Sequence, residues 1–168
     1  MAQVDLLPER GVMTARVFEN PHLGIPPTLF FDIELPLKPF DFEGNAQNTT
    51  VRLNFIDFKV QDWRELAGRD FQFPKNPAPG YIDGSVYLGG AHNPGDATRI
   101  RFGNLKESTL PATLDIEFDF TIEGLDELGK FSVNWQVDLA LDPAQLDQVV
   151  VEARKIVKKP EKPWWRFW

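Results

Sequence analysis

The chain has 168 residues, 42% of them apolar and 26% charged, which is enough to bury a core without a disulfide or structural metal and too apolar for wholesale disorder. It contains no cysteine, which excludes a disulfide framework, Cys-ligated zinc and a thiol nucleophile. Net charge is −7, but Arg154 to Trp168 holds six Lys/Arg against one Glu, so the remainder carries −12; an acidic body of this kind repels phosphate backbones and disfavours nucleic acid as the ligand of the main surface.

The first ten residues lack the basic stretch and apolar run of a signal peptide, and no segment is apolar for long enough to span a bilayer, so a cytoplasmic location is the expectation. Fourteen phenylalanines and five tryptophans favour pleated, half-buried surfaces. Strands are accordingly expected at Val12 to Phe18 and at Leu29 to Leu35, where Leu29, Phe31, Ile33 and Leu35 alternate with Asp32 and Glu34. Between Thr50 and Val60 the apolar set changes parity, from Val51, Leu53 and Phe55 to Ile56, Phe58 and Val60, which predicts a β-bulge near Phe55 and Ile56.

Asp62 to Gly68 suits one helical turn and Pro74 to Pro79 a loop. A strand over Tyr81 to Leu88 is interrupted by Gly84, which implies a bend or a close backbone approach. Gly89 to Asp96 reads as a further loop, and Ile100 and Phe102 between Arg99 and Arg101 as a strand. Thr113 to Glu123 alternates strictly, and after a connection through Gly124, Asp126 and Gly129 the period resumes from Phe131 to Leu141, predicting a long β-hairpin. Asp142-Pro143 then supplies an N-cap and a proline at N1, and Leu146, Val149, Val150, Ala153 and Val157 recur at helical spacing, predicting a helix over 143–158.

These elements imply a mainly β fold: an antiparallel β-sandwich of about seven strands with one C-terminal α-helix, or alternatively an open or closed β-barrel capped by that helix. The domain is expected over 1–159, followed by a basic aromatic tail at 160–168.

The chain lacks a P-loop, a dinucleotide fingerprint, a nucleophile-elbow serine and paired zinc-peptidase histidines. Its two histidines, His22 and His92, stand in no catalytic context, so no catalytic residue, metal ligand or cofactor is assigned. Asp115, Glu117 and Asp119 share one strand face, but side chains two residues apart lie about 7 Å from each other, too far to ligate one ion unaided. A solvated face crossed by cations such as Arg99, Arg101, Arg52 or Lys59 explains them better.

Two segments are candidates for binding. The Gly89 to Asp96 segment offers backbone N–H groups and the polar side chains of His92, Asn93 and Asp96 for a small ligand, against the plainer reading of a hairpin connection. The tail places Trp164, Trp165, Arg166, Phe167 and Trp168 together, residue types enriched at contact surfaces. It suits packing on its own body, docking on a protein partner, or contact with an anionic membrane surface. The expected function is a non-catalytic binding module acting on a protein partner, such as an accessory or inhibitor protein. The alternatives are a carbohydrate-binding or hydrolytic sandwich, with Trp63, Tyr81 or Tyr87 stacking on sugars, and a peripheral membrane protein anchored by the tail.

Overall fold

The computed structural model describes residues 5–157. Among the described residues ten strands form: β1 (Gly11–Asn20), β2 (Ile25–Pro36), β3 (Phe40–Phe42), β4 (Asn45–Gln47), β5 (Thr50–Ile56), β6 (Asp70–Gln72), β7 (Asp83–Leu88), β8 (Ala91–Phe102), β9 (Thr109–Asp119) and β10 (Lys130–Ala140). One helix follows, α1 (Pro143–Val157), and 3₁₀ turns occupy Pro21–Leu23 and Trp63–Leu66.

The fold is mainly β with one C-terminal helix, and its principal sheet closes on itself. Hydrogen-bonded neighbours run β8, β7, β5, β2, β1, β10, β9 and back to β8. Strand β8 closes the ring because its first residues, Ala91 to Pro94, pair with β7 while Gly95 to Phe102 pair with β9. The short β6 adds to β8 opposite Arg99 to Arg101. The pairings are antiparallel except at β1 and β10, which run parallel through Gly11 with Leu139 and Val12 with Ala140. Closure leaves few free edges, which limits edge-to-edge association.

Alternation decides the interior. Met13, Ala15, Phe31, Ile33, Leu35, Val51 and Leu53 point inward from β1, β2 and β5, and Leu114, Ile116, Phe118, Val137 and Leu139 from β9 and β10. Phe58 extends this core beyond the end of β5, with its ring 4.7 to 5.8 Å from those of Phe31, Phe71, Phe73 and Phe102. Burying one such ring stabilises the fold by about 3–5 kcal/mol, judged by the usual cost of cutting it to alanine.

The hairpin of β9 and β10 forms as predicted, with Asp119 opposite Lys130 and Thr109 opposite Ala140. Its first strand keeps the expected length but lies four residues earlier, at Thr109–Asp119, and it ends there because the Asp119 carboxylate accepts from the Thr121 backbone N–H and hydroxyl and turns the chain. Ile122 consequently lies 65% exposed, outside the predicted apolar face. Gly84 makes the close approach its sequence context implied, for a Cβ there would collide with the Gly95 carbonyl on β8. The parallel pairing and the short strands β3, β4 and β6 were not foreseen.

Helix α1 caps one end of the ring. Asp142 accepts from the Gln145 N–H at 3.3 Å, opening the helix. Leu146, Val149 and Val150 are buried against the core, as their spacing predicts. Gln145 Nε2 donates to the Ala15 carbonyl at 2.9 Å and fixes the helix over β1.

Candidate functional site

The predicted ligand segment is not a loop. Gly89 and Gly90 alone make the turn, both at positive φ (63° and 80°), and β8 begins at Ala91. Alternation then separates the three polar side chains. His92 is exposed with its ring 5.0 Å from that of Tyr87. Asn93 points inward, fully buried, and its Nδ2 donates to the carbonyls of Val86, Leu88 and Ala91. Asp96 accepts from the Asn76 N–H at 3.1 Å. The structure does not bring the three to one point, and the hairpin connection weighed against the ligand loop is what forms.

The acidic ladder is a paired surface. Asp119 meets Lys130 at 3.3 Å, Glu117 meets Lys75, and Asp115 accepts from Asn134 Nδ2. Arg99 does stand opposite Asp115 in register, but it bonds Asp70 on β6; Arg52 pairs with Glu34 and Lys59 with Asp57. The Arg99 hydrogen bond holds the Asp70 carboxyl below its usual range, and bonds from Thr121 do the same for Asp119. Among the described residues, no group of three or more His, Cys, Asp or Glu side chains is placed to hold a metal ion, and no helix is long and apolar enough to cross a membrane.

Trp63 is not an exposed ring for stacking on sugars. It is 3% exposed, its indole Nε1 donates to Asp147 Oδ1 at 2.9 Å, and Arg64 covers its face at 4.3 Å. Arg64 also grips Asp147 through two bonds, at 2.7 and 3.0 Å. The Arg64 hydrogen bonds and then the Trp63 bond hold the Asp147 carboxyl down at about 2. The cluster therefore serves to clasp α1 to the 3₁₀ turn.

A different surface was missed in the sequence. On the outer face of β1, β2 and β5, the half-buried rings of Phe18, Phe30 and Phe55 meet edge to face, with centroids 5.2 to 6.3 Å apart. The bulge predicted near Phe55 builds this cluster. Phe31 pairs with Ile56 but Ile33 with Leu53, so β5 carries one extra residue. Phe55 takes a left-handed conformation, φ 56°, that turns its ring outward. Asp32 holds the arrangement from below, accepting from the Phe55 N–H at 3.1 Å and from Arg16 Nη2 at 3.0 Å. The Arg16 guanidinium lies 4.0 Å above the Phe55 ring. The available signal was parity, since Phe18 and Phe30 stand on the polar parity of strands whose core residues are Met13, Ala15, Leu29 and Phe31.

The fold also holds a cleft of about 710 Å³. Val17, Leu29 and Val60 form its apolar floor, Asp57 and Arg154 stand on its rim, and Ala153 of α1 forms one wall. Thr28, which pairs with Phe18, also lines it, but the floor residues Val17 and Leu29 pair with each other on the inward face of β1 and β2, so cleft and patch lie on opposite sides of these strands. The tail residues Trp164, Trp165, Arg166, Phe167 and Trp168 lie outside the described residues.

The patch offers aromatic faces and one clamped guanidinium, which suit contact with a side chain or a small apolar group. Comparison with protein-family models, with curated proteins and with solved structures finds no match for the chain.

Proposed function

We propose that the chain is a non-catalytic binding module that engages a protein partner through the outer face of β1, β2 and β5, centred on Phe18, Phe30, Phe55 and Arg16. The backbone of Phe55 carries this reading. A bulky residue at positive φ costs on the order of 1–3 kcal/mol, and the ring so placed stays half exposed rather than entering the core. Strain spent on an outward-facing ring supports a role for that ring in recognition, since bulges commonly re-aim side chains at working surfaces.

Two further features agree with a protein partner. Aromatic and arginine side chains dominate the energetics of protein contacts. The −12 carried by residues before Arg154 favours capture of a basic partner. The tail residues Trp164 to Trp168 have the same aromatic and basic character.

The test is proximity labelling and affinity capture from the source cell with the full chain, beside Arg16→Ala and Phe30→Ser variants of unchanged melting temperature. A partner retained by the parent chain and lost by both variants supports the reading. Equal capture by parent and variants sinks it.

A further inference from the structure

The cleft between β2 and the end of α1 has an occupant available in the same chain. We infer that the aromatic segment Trp164 to Trp168 docks back into the cleft floored by Val17, Leu29 and Val60. The docking stands whether or not the patch binds a partner.

Position argues for it first. Ala153 lines the cleft, and α1 is described through Val157, one helical turn further on, about 6 Å along the axis. Six residues, Lys158 to Pro163, separate that point from Trp164 and span up to about 20 Å when extended. Pro160 and Pro163 both disfavour continuation of a helix, so the connector suits a reversal onto the body.

Chemistry argues for it second. The cleft holds about 710 Å³ over an apolar floor, a recess that suits aromatic side chains, and water in it gains few polar partners from Val17, Leu29 and Val60. Four aromatic side chains stand within the five residues Trp164 to Trp168. Among the described residues the charged groups at the cleft are Asp57, paired with Lys59, and Arg154, so the apolar floor and the aromatic rings, rather than charge, favour the docking. Linking two surfaces by a short connector makes their contact intramolecular, so even weak complementarity suffices to hold it.

The absence of cysteine from the sequence makes a direct test available. A nitroxide is attached to Gln61→Cys on the cleft wall of the full chain, and the five tryptophan indole N–H signals are recorded by NMR, assigned by single Trp→Phe changes. Trp63, two residues from the label, reports by its broadening that labelling succeeded, and by its parent shift once the nitroxide is reduced that the fold is intact. The inference expects the indoles of Trp164, Trp165 and Trp168 to broaden as well, independently of protein concentration, and to return when the nitroxide is reduced.

Three results overturn it. Trp63 broadens while the three C-terminal indoles remain sharp, including the case in which they shift only when phosphatidylserine vesicles are added. Broadening passes from a spin-labelled, unenriched chain to an unlabelled, ¹⁵N-enriched one, which makes the occupant a second copy. Broadening survives unchanged in Ala153→Glu, which obstructs the cleft at its half-buried α1 wall, although Trp63 keeps its parent position after reduction of the nitroxide.

Discussion

The indole N–H of Trp63 donates to the carboxylate of Asp147, joining the 3₁₀ turn after β5 to the helix that closes the ring. Arg64 completes the clasp with two bonds to the same carboxylate, while Arg154 meets Asp62 at 3.4 Å. Asp147→Ala removes the acceptor of all three bonds and is expected to lower the melting temperature. Asp147→Asn keeps an oxygen for Trp63 but loses the charge facing Arg64, so its loss is smaller. Equal melting temperatures for parent and alanine variant, measured by calorimetry, would show that the clasp contributes nothing.

The same carboxylate sets a pH dependence with a definite sign. Its folded value is depressed from 3.8 to about 2, so the folded chain binds fewer protons there than the unfolded chain. The contribution is present above the unfolded value and fades as pH falls from about 4 toward 2. The stability difference between the parent and Asp147→Asn is therefore constant near neutrality and shrinks through that window. A difference that instead changes between pH 6 and 8 contradicts this assignment.

Glu127 has the opposite sign. Its carboxyl is raised above the usual range chiefly by a hydrogen bond with Glu43, which joins the turn after β3 to the turn after β9. The favourable proton is bound below the unfolded value and lost as pH rises through the folded one, leaving two carboxylates in repulsion. Glu127→Gln is expected to raise the melting temperature at neutral pH, with a smaller gain or none at pH 4. Denaturation curves at the two pH values decide the matter.

Phe55 separates binding from stability. Phe55→Gly relieves the left-handed strain by about 1–2 kcal/mol and forfeits two ring contacts of about 0.5–1.5 kcal/mol each and the Arg16 contact of about 0.5–1 kcal/mol, so the net loss is on the order of 1 kcal/mol. Phe31→Ala, in the core, is expected to cost about 3–5 kcal/mol. Urea denaturation of the two variants checks the contrast. A loss at Phe55 as large as that at Phe31 makes the ring a structural anchor and removes the argument for a recognition role.

Much of this architecture was legible because alternation and parity are local. The hairpin of β9 and β10, the capped start of α1 and the extra residue at Phe55 all follow from spacing within about a dozen residues. What escaped is set by pairings across the chain. The parallel contact of Gly11 with Leu139 and the division of β8 between β7 and β9 leave no mark in either partner alone. The Phe18, Phe30 and Phe55 cluster escaped for the same reason, since its members become neighbours only once β1, β2 and β5 are aligned.

Asn93 shows how a polar residue near glycines can imitate a ligand group. Its amide spans the inside of the turn between β7 and β8, donating to three carbonyls, while among the described residues its Oδ1 has no hydrogen-bond partner. Removing the donor leaves buried carbonyls short of a bond, and the net cost for such a site is about 1–3 kcal/mol. Asn93→Ala is expected to destabilise the chain by that amount. His92→Ala, which loses only an exposed ring contact with Tyr87, is expected to leave stability within about 0.5 kcal/mol of the parent. Chemical denaturation gives both values. If His92→Ala proves as costly as Asn93→Ala, the turn is held by its outer face, and the inward amide is not what secures the hairpin.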